Sequence, residues 1–82
     1  MTALQPDIKL TIDARGLRCP LPVLKVQKAM RTLGPGDVLM IQTTDPVSPL
    51  DLTHFCEEHG HTMISRDDHH DGSYCFVIAK GS

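Results

Sequence analysis

The order of hydrophobic and polar residues divides the first half of the chain into two strands and a helix. Residues 9–13 alternate between apolar and polar, which predicts a half-buried strand. From Pro20 to Leu33 the apolar residues recur at spacings of three and four, as on one face of a helix. Residues 34–36, Gly-Pro-Gly, end that helix. Residues 37–44 are apolar on both alternating sets at their centre, which predicts a strand inside the sheet.

A second helix is predicted after the turn at residues 45–47. Ser48 is expected to be its N-cap, with Pro49 in the first helical position and Asp51 completing a shortened capping box. The helix is predicted to end at Gly60. One face of it carries the less polar residues, namely Leu52, Phe55, Cys56 and His59.

Two more strands complete the predicted fold. Residues 62–66 and 74–80 read as strands, and the polar residues 67–73 between them read as a hairpin turn. The order β-α-β-α-β-β predicts a two-layer α/β sandwich, with a four-stranded mixed sheet and both helices on one face. We expect a single domain over residues 1–82, with an ordered core at about 8–80.

Composition narrows the class of protein. The chain has 82 residues, of which 40% are hydrophobic and 22% charged, which argues against intrinsic disorder and allows one thin core. No apolar run approaches the ~20 residues needed to cross a bilayer.

The three cysteines cannot all pair within one chain, and MTALQPDIKL lacks the pattern of a secretory signal. We therefore expect free thiols in a reducing cytoplasm.

Charge is distributed unevenly along the chain. Residues 1–34 hold six of the eight basic residues and two of the ten acidic ones. A polar stripe of the first helix carries three basic residues at a spacing of three, namely Lys25, Lys28 and Arg31. This stripe either docks against an acidic surface of a partner or is an ordinary solvated face. A small regulatory or nucleic-acid-binding module using this helix is the alternative function. The net charge of −2 and the scarcity of aromatic residues for base stacking argue against nucleic acid.

Cys19 is the candidate catalytic residue. It precedes Pro20, at the position of an N-cap, where Ser, Thr, Asp and Asn stabilise a helix better than Cys. The unpaired N–H groups and partial positive charge of a helix N-terminus favour a thiolate, and Arg15 and Arg18 add positive charge nearby. We therefore expect an exposed Cys19 with a lowered pKa that acts as a nucleophile. The alternative is a small buried cysteine at a helix start.

Three neighbours support this reading of Cys19. Pro20 and Pro22 stiffen the first helical turn without removing a helical hydrogen bond, because the first N–H groups of a helix have no partner. Any anion bound there would use the amides of Leu21 and Val23. Gly16 gives the preceding loop access to a positive φ angle.

The other cysteines and the histidines raise a metal hypothesis. Cys56, His59 and His61 could supply N and S ligands, but a core cysteine beside a capping histidine is the preferred interpretation. His69 and His70 are expected at a solvated hairpin tip. Cys75 is expected on the sheet face without helices, where it is an improbable resolving thiol. We expect no metal and no cofactor.

Residues 16–22, Gly-Leu-Arg-Cys-Pro-Leu-Pro, resemble the Cys-Pro-x-Pro signature of the TusA or SirA-like sulfur-carrier family. The resemblance extends to Asp13 before the loop, Gly36 after the first helix and Asp45-Pro46 after the second strand. It implies a fold like the C-terminal domain of bacterial translation initiation factor three. Position 21, where some members have Glu, is Leu here, which bears on the choice of partner.

The same resemblance implies a persulfide carrier. In the family the motif cysteine, here Cys19, receives sulfur from a cysteine desulfurase or rhodanese-like donor and passes it to an acceptor protein. Family outlets include tRNA wobble-uridine thiolation, sulfur supply for the molybdenum cofactor and sulfur oxidation. The residues taken as candidate partner contacts are Arg15, Lys25, Lys28, Arg31 and Asp45.

Overall fold

The structure, a computed structural model, describes residues 7–81. Its elements are β1 (Ile8–Ala14), α1 (Leu21–Met30), β2 (Val38–Thr43), α2 (Ser48–His59), β3 (Thr62–Asp68) and β4 (Tyr74–Ala79). The predicted order β-α-β-α-β-β is confirmed. The expected domain ends at 1 and 82, and the first six residues of the segment examined for a secretory signal, lie outside the described range. Among the described residues no helix is long and apolar enough to cross a membrane.

The four strands form one mixed sheet in the order β1-β2-β4-β3. β1 and β2 are parallel, while β4 pairs antiparallel with both β2 and β3. Parallel neighbours need a crossover connection, and α1 supplies it. The carboxyl ends of β1 and β2 therefore lie at the same edge of the sheet, and the segments leading into α1 and α2 start from that edge.

The hydrophobic core lies between the sheet and the two helices. Alternate residues of the central strands are fully buried, namely Leu39, Ile41, Phe76 and Ile78. The helices contribute Val26 from α1 and Leu52 from α2 to the same cluster. Burial of each such side chain contributes roughly 1.5–3 kcal/mol to folding. Cys75, Val77 and Ala79 occupy the other alternate set on β4 and are only half-buried, which agrees with the expectation that Cys75 lies on the sheet face without helices.

α1 is shorter than the apolar pattern indicates. Pro20, not Cys19, is its N-cap, so the expectation that Cys19 caps the helix is wrong. At the other end, α1 stops at Met30, three residues before the predicted end at Leu33. The N–H groups of residues 31–33 donate to carbonyls three residues back, so the chain leaves the helix in a turn that is tighter than an α-helical one. Lys80 donates to the carbonyls of Met30 (2.7 Å) and Leu33 (2.5 Å), where a cation stabilises a helix C-terminus.

α2 begins one residue earlier than a Ser48 cap requires. Val47 is the N-cap and Ser48 is the first helical residue, so the prediction of a Ser48 cap is wrong. The Ser48 hydroxyl is buried, where it donates to the carbonyl of Asp45 (2.7 Å) and is hydrogen-bonded to the hydroxyl of Thr43 (2.6 Å). These bonds fasten the loop before α2 to β2, and no side chain caps the N-terminus of α2. The predicted end at Gly60 is confirmed, with φ at +73°.

β3 is two residues longer than predicted and the hairpin turn is correspondingly shorter. The strand continues through Asp67 and Asp68, which pair with Cys75 and Tyr74. β3 lies at the edge of the sheet, where polar side chains face solvent, so its composition resembles that of a turn. Polarity alone therefore misplaced the end of this strand.

Candidate functional site

The candidate site lies where the loops after β1 and β2 meet. The loop after β1 turns at Gly16, whose φ of +84° fits the predicted need for a residue without a side chain. The Gly16 N–H donates to the hydroxyl of Thr44 at 2.8 Å. This bond fixes the loop that carries Cys19 against the end of the neighbouring strand.

Cys19 is held by a second bond between the same two loops. Its backbone N–H donates to Oδ2 of Asp45 at 2.5 Å, and Oδ1 of Asp45 accepts from the N–H of Val47 at 2.9 Å. These backbone bonds hold the pKa of the Asp45 carboxyl below its usual range. Asp45, expected to contact partners, thus has an internal role that positions Cys19 beside the start of α2.

The thiol of Cys19 is free and exposed, as predicted, but its ionisation differs from the prediction. Its Sγ lies 2.5 Å from Oδ2 of Asp51, so the thiol donates a hydrogen bond to a carboxylate in the first turns of α2. This bond raises the pKa of Cys19 above its ordinary value, with smaller contributions from burial and from the charges of Asp51 and Asp45. The expectation of a lowered pKa is therefore wrong, because a full negative charge in direct contact outweighs the partial charge of a helix terminus.

The backbone around Cys19 also differs from the expected anion site. The Leu21 N–H donates to the carbonyl of Arg18 at 2.8 Å, so it is not free to bind an anion. The Cys19–Pro20 peptide bond is cis. Pro20 is exposed, whereas Pro22 is fully buried in the first turn of α1 and joins that turn to the protein interior.

The two arginines near Cys19 act on neighbouring carboxylates, Arg15 through an ion pair and Arg18 through its charge alone. Arg15 forms a two-pronged ion pair with Asp13, with N–O distances of 2.9 and 3.0 Å, so the expectation that it favours a thiolate is wrong. Arg18 is exposed, and its charge helps to lower the pKa of Asp45. The predicted polar stripe of α1 is exposed, at Lys25, Lys28 and Arg31.

An open groove of about 330 Å³ runs from Cys19 between the two helices. Val23 and Gln27 line it from α1, and His54 and Phe55 line it from α2. Small-molecule sites enclose most of their ligand. A groove this open instead leaves the thiol accessible to a group on another protein.

Apolar side chains are exposed at the start of each of the two helices that line the groove. They are between 45% and 58% exposed, although residues of this kind normally lie in a core. The four are Leu21, Leu24, Val47 and Leu50, here called the apolar rim. Large exposed apolar side chains next to a candidate site are typical of a contact surface.

The residues of the metal hypothesis do not converge. Cys56 is a core cysteine as interpreted, and its burial raises its pKa to about 11. The rings of His59 and His61 pack on Phe55, and His61 Nδ1 accepts from the Gly81 N–H at 3.0 Å. Across residues 7–81, no group of three or more His, Cys, Asp or Glu side chains could hold a metal ion.

The remaining candidates, Cys75, His69 and His70, do not line the groove. Cys75 is half-buried on β4, where burial is the main cause of its raised pKa. His69 and His70 are exposed in the hairpin turn between β3 and β4, as predicted. The His69 N–H donates to the carbonyl of Ser73 at 2.9 Å and closes that turn.

Asp51 is a site residue whose position in the sequence points to a different role. Its position favoured helix capping, yet its side chain caps nothing and instead accepts from Cys19, 32 residues earlier. The sequence did contain a signal. Two helices that follow neighbouring parallel strands begin at the same sheet edge, so an acidic residue in one first turn belongs near a cysteine in the other.

Comparisons with known proteins agree with this architecture. A sequence profile of the family described as Sulfurtransferase TusA matches residues 10–80. Two proteins of Neisseria meningitidis, from serogroups A and B, carry the provisional name of sulfur carrier protein. Each is 38% identical to this chain over 68 residues, which span 83% of this chain and 90% of the relative.

A solved structure is also similar. The crystal structure of a SirA-like protein from Desulfitobacterium hafniense superposes with a TM-score of 0.78 at 30% identity, covering 89% of this chain and 99% of that one. The profile spans well over half of the chain, and the relatives match most of their own length. The chain therefore belongs to the sulfurtransferase TusA family, whose members carry sulfur between proteins.

Proposed function

We propose that this protein is a sulfur-relay protein that carries sulfur as a persulfide on Cys19. A cysteine desulfurase or a rhodanese-like protein would load it, and an acceptor protein would remove the sulfur. One observation carries the proposal: in a chain of this family, Cys19 is a free, exposed thiol at the meeting point of the two helices.

The chemistry needs little beyond such a thiol. Cys19 attacks the outer sulfur of a donor persulfide, so a new S–S bond forms at Sγ while the S–S bond of the donor breaks. The donor leaves as a thiol, taking up the proton that Cys19 loses. Atoms and electrons balance between the two proteins, so no external oxidant or cofactor enters the step.

The other two cysteines are poor candidates for the carrier. Cys56 is 4% exposed and its raised pKa follows mainly from burial, so a donor protein has no path to its sulfur. Cys75 is half-buried on the sheet face opposite the helices. Transfer between proteins needs an accessible sulfur, and this requirement favours Cys19.

Donor and acceptor proteins are proposed to dock around Cys19. The apolar rim would contact the apolar surface of the partner, and Lys25, Lys28 and Arg31 would contact its acidic residues. Arg15 and Asp45, the other expected contacts, are engaged within the chain, so they would act by shaping this surface. The outlets expected from the family are tRNA thiolation, cofactor sulfur supply and sulfur oxidation, in a cytoplasm where the three thiols stay reduced.

Intact-mass analysis after incubation with a cysteine desulfurase, cysteine and pyridoxal phosphate tests the proposal. The native chain should gain the mass of one sulfur atom, and Cys19→Ala should gain none. Cys75→Ala is the matched control, since it removes a more accessible thiol than Cys56, and it should load like the native chain.

Two results would contradict the carrier function. One is equal loading of Cys19→Ala, and the other is loading that disappears in Cys75→Ala. The regulatory or nucleic-acid alternative makes the opposite prediction: Cys19→Ser retains activity, while replacing Lys25, Lys28 and Arg31 abolishes it.

A further inference from the structure

The carboxylate of Asp51 has an environment that helix stability does not explain. An Asp in the first turns of a helix ordinarily accepts from free backbone N–H groups. No side-chain cap is formed at the start of α2. Within residues 7–81, the hydrogen bond that this carboxylate accepts comes from Cys19, at 2.5 Å.

Charged and titratable groups surround Cys19 from three directions. Arg18 adjoins it in the chain, and the loop before α2 presents Asp45. The face of α2 that lines the groove presents the remaining groups, which are Asp51, His54, Glu58 and His59. Asp51 is the one whose side chain contacts Sγ, and its hydrogen bond is the leading cause of the raised Cys19 pKa. At neutral pH the empty carrier therefore holds a protonated thiol.

We propose that Asp51 is a positioning residue for sulfur transfer, which stabilises the empty Cys19 thiol through a hydrogen bond that the loaded persulfide cannot make. This inference rests on the proposed carrier function. It adds a direction to the relay, because an interaction made only by the empty form favours release of sulfur over its retention.

The change at Sγ during loading accounts for this asymmetry. Loading replaces the S–H bond of Cys19 with an S–S bond, and the proton ends on the donor thiol. Sγ then has no hydrogen to donate to Asp51. A persulfide is also a stronger acid than a thiol, so its outer sulfur carries negative charge that the Asp51 carboxylate repels. The outer sulfur is therefore directed away from α2, towards a docked acceptor.

Release reverses these changes. An acceptor thiolate bonds to the outer sulfur, the S–S bond at Cys19 breaks, and Cys19 leaves as a thiolate that takes a proton from solvent. The thiol then donates to Asp51 again. The acceptor is left with the persulfide, so sulfur moves between proteins while the charge at the site returns to its initial value.

Alkylation of Cys19 by iodoacetamide as a function of pH tests the first half of the inference. In Asp51→Asn the carboxylate charge is lost and the amide can donate to a thiolate, so the midpoint of the profile should move to lower pH. A fall of one pH unit gives about tenfold more thiolate at pH 7, of lower intrinsic reactivity, and hence about a threefold faster reaction. Peptide mapping follows Cys19 separately from the other two cysteines.

Two further variants make the result specific. Asp51→Ser removes the same charge with a different side chain and should shift the midpoint in the same direction, provided that circular dichroism shows native folding. Glu57→Gln removes an exposed charge from the same helix outside the groove and should leave the profile of Cys19 unchanged.

Equilibration with glutathione persulfide tests the second half. Asp51→Asn should retain a larger persulfidated fraction of Cys19 than the native chain, because it lacks the bond that stabilises the empty form. An unchanged alkylation midpoint, or an unchanged persulfidated fraction, overturns the inference. The alkylation experiment contains no sulfur donor, so failure of Cys19 to load from a desulfurase would contradict the carrier function and not this result.

Discussion

Cys19 and Cys56 are two thiols whose pKa the fold raises by different physical means. Cys56 lies in the core beside Phe55, and removal of its sulfur from water disfavours the charged thiolate. Cys19 is exposed, and one carboxylate at hydrogen-bond distance disfavours the thiolate there. The same direction of shift thus comes from apolar packing in one region and from a single polar contact in the other.

The difference determines how each thiol can be made reactive. Cys56 becomes accessible when packing around it opens, which involves many side chains at once. The pKa of Cys19 changes when its one contact with Asp51 is broken or when that carboxylate is neutralised. A docked partner can do either without unfolding any part of the protein. The raised pKa of Cys56 therefore belongs to a thiol that reagents do not reach, whereas the raised pKa of Cys19 can be changed through a single contact.

The largest expected effect comes from breaking the packing around Cys56. Leu52 is fully buried one helical turn from Cys56, and Leu52→Ala should lower the free energy of unfolding by about 2–5 kcal/mol through the cavity that it leaves. Urea denaturation measures the loss. Alkylation of Cys56 should increase in this variant while the rate at Cys19 stays the same.

Leu50→Ala is the control for this prediction. Leu50 lies two residues earlier on α2 and is 58% exposed, so its truncation should change the stability by no more than about 0.5 kcal/mol. Equal losses in the two variants would show that the core does not pack around Leu52 as described.

A smaller effect is expected in the native chain, where iodoacetamide should alkylate Cys19 and Cys56 at different rates. At a pH above the ordinary range for a cysteine pKa, Cys19 should react first, because only ionisation limits its reaction. The alkylation rate of Cys56 should be lower by on the order of a hundredfold or more, because its sulfur is reached only in molecules whose core has opened. Time-resolved peptide mapping gives both rates. Comparable rates at both positions would remove the distinction between the two sites.

The smallest expected effect concerns an exposed carboxylate near the same loop. The guanidinium of Arg15 lowers the pKa of Asp13 from its ordinary 3.8 to about 2. Because the pKa of the folded state is lowered, any stabilisation from this pair is present above about pH 4 and is lost as the pH falls towards 2. Both side chains are exposed, so the gain in stability should be slight.

Arg15→Gln sharpens this prediction. The side chain of Arg15 is the leading cause of the lowered pKa of Asp13, so this variant should raise that pKa towards 3.8, while the backbone N–H of residue 15 keeps it below that value. A carboxyl titration by NMR measures the midpoint directly. A midpoint that stays near 2 would show that the backbone, rather than the guanidinium, governs this carboxyl.

Sequence periodicity predicted the fold well because the buried positions are strictly spaced. The strand predicted at residues 74–80 alternates, so that Phe76 and Ile78 are buried in the core while Cys75 lies on the other face, as expected. The end of β3 could not be found in this way, since an edge strand and a turn share the same polar composition. The exposure of Cys19 followed from its neighbours in the chain.

The ionisation of Cys19 could not be obtained from those neighbours. It depends on Asp51, which local pattern assigns to the start of another helix, and on a side-chain distance that no periodicity encodes. Arg15, which the sequence placed beside the thiol, pairs with Asp13 two residues away. Tertiary contacts therefore reversed the sign of a shift that local charge alone predicted.

The bonds from Gly16 to Thr44 and from Cys19 to Asp45 join loops that are 28 and 26 residues apart in the chain. A synthetic heptapeptide with the sequence of residues 16–22 would contain the thiol and both prolines, but neither carboxylate. In the proposed relay, a partner that recognises the thiol in this setting would distinguish folded chains from nascent chains and proteolytic fragments. Sulfur would then be delivered only to molecules whose first two strands have already paired.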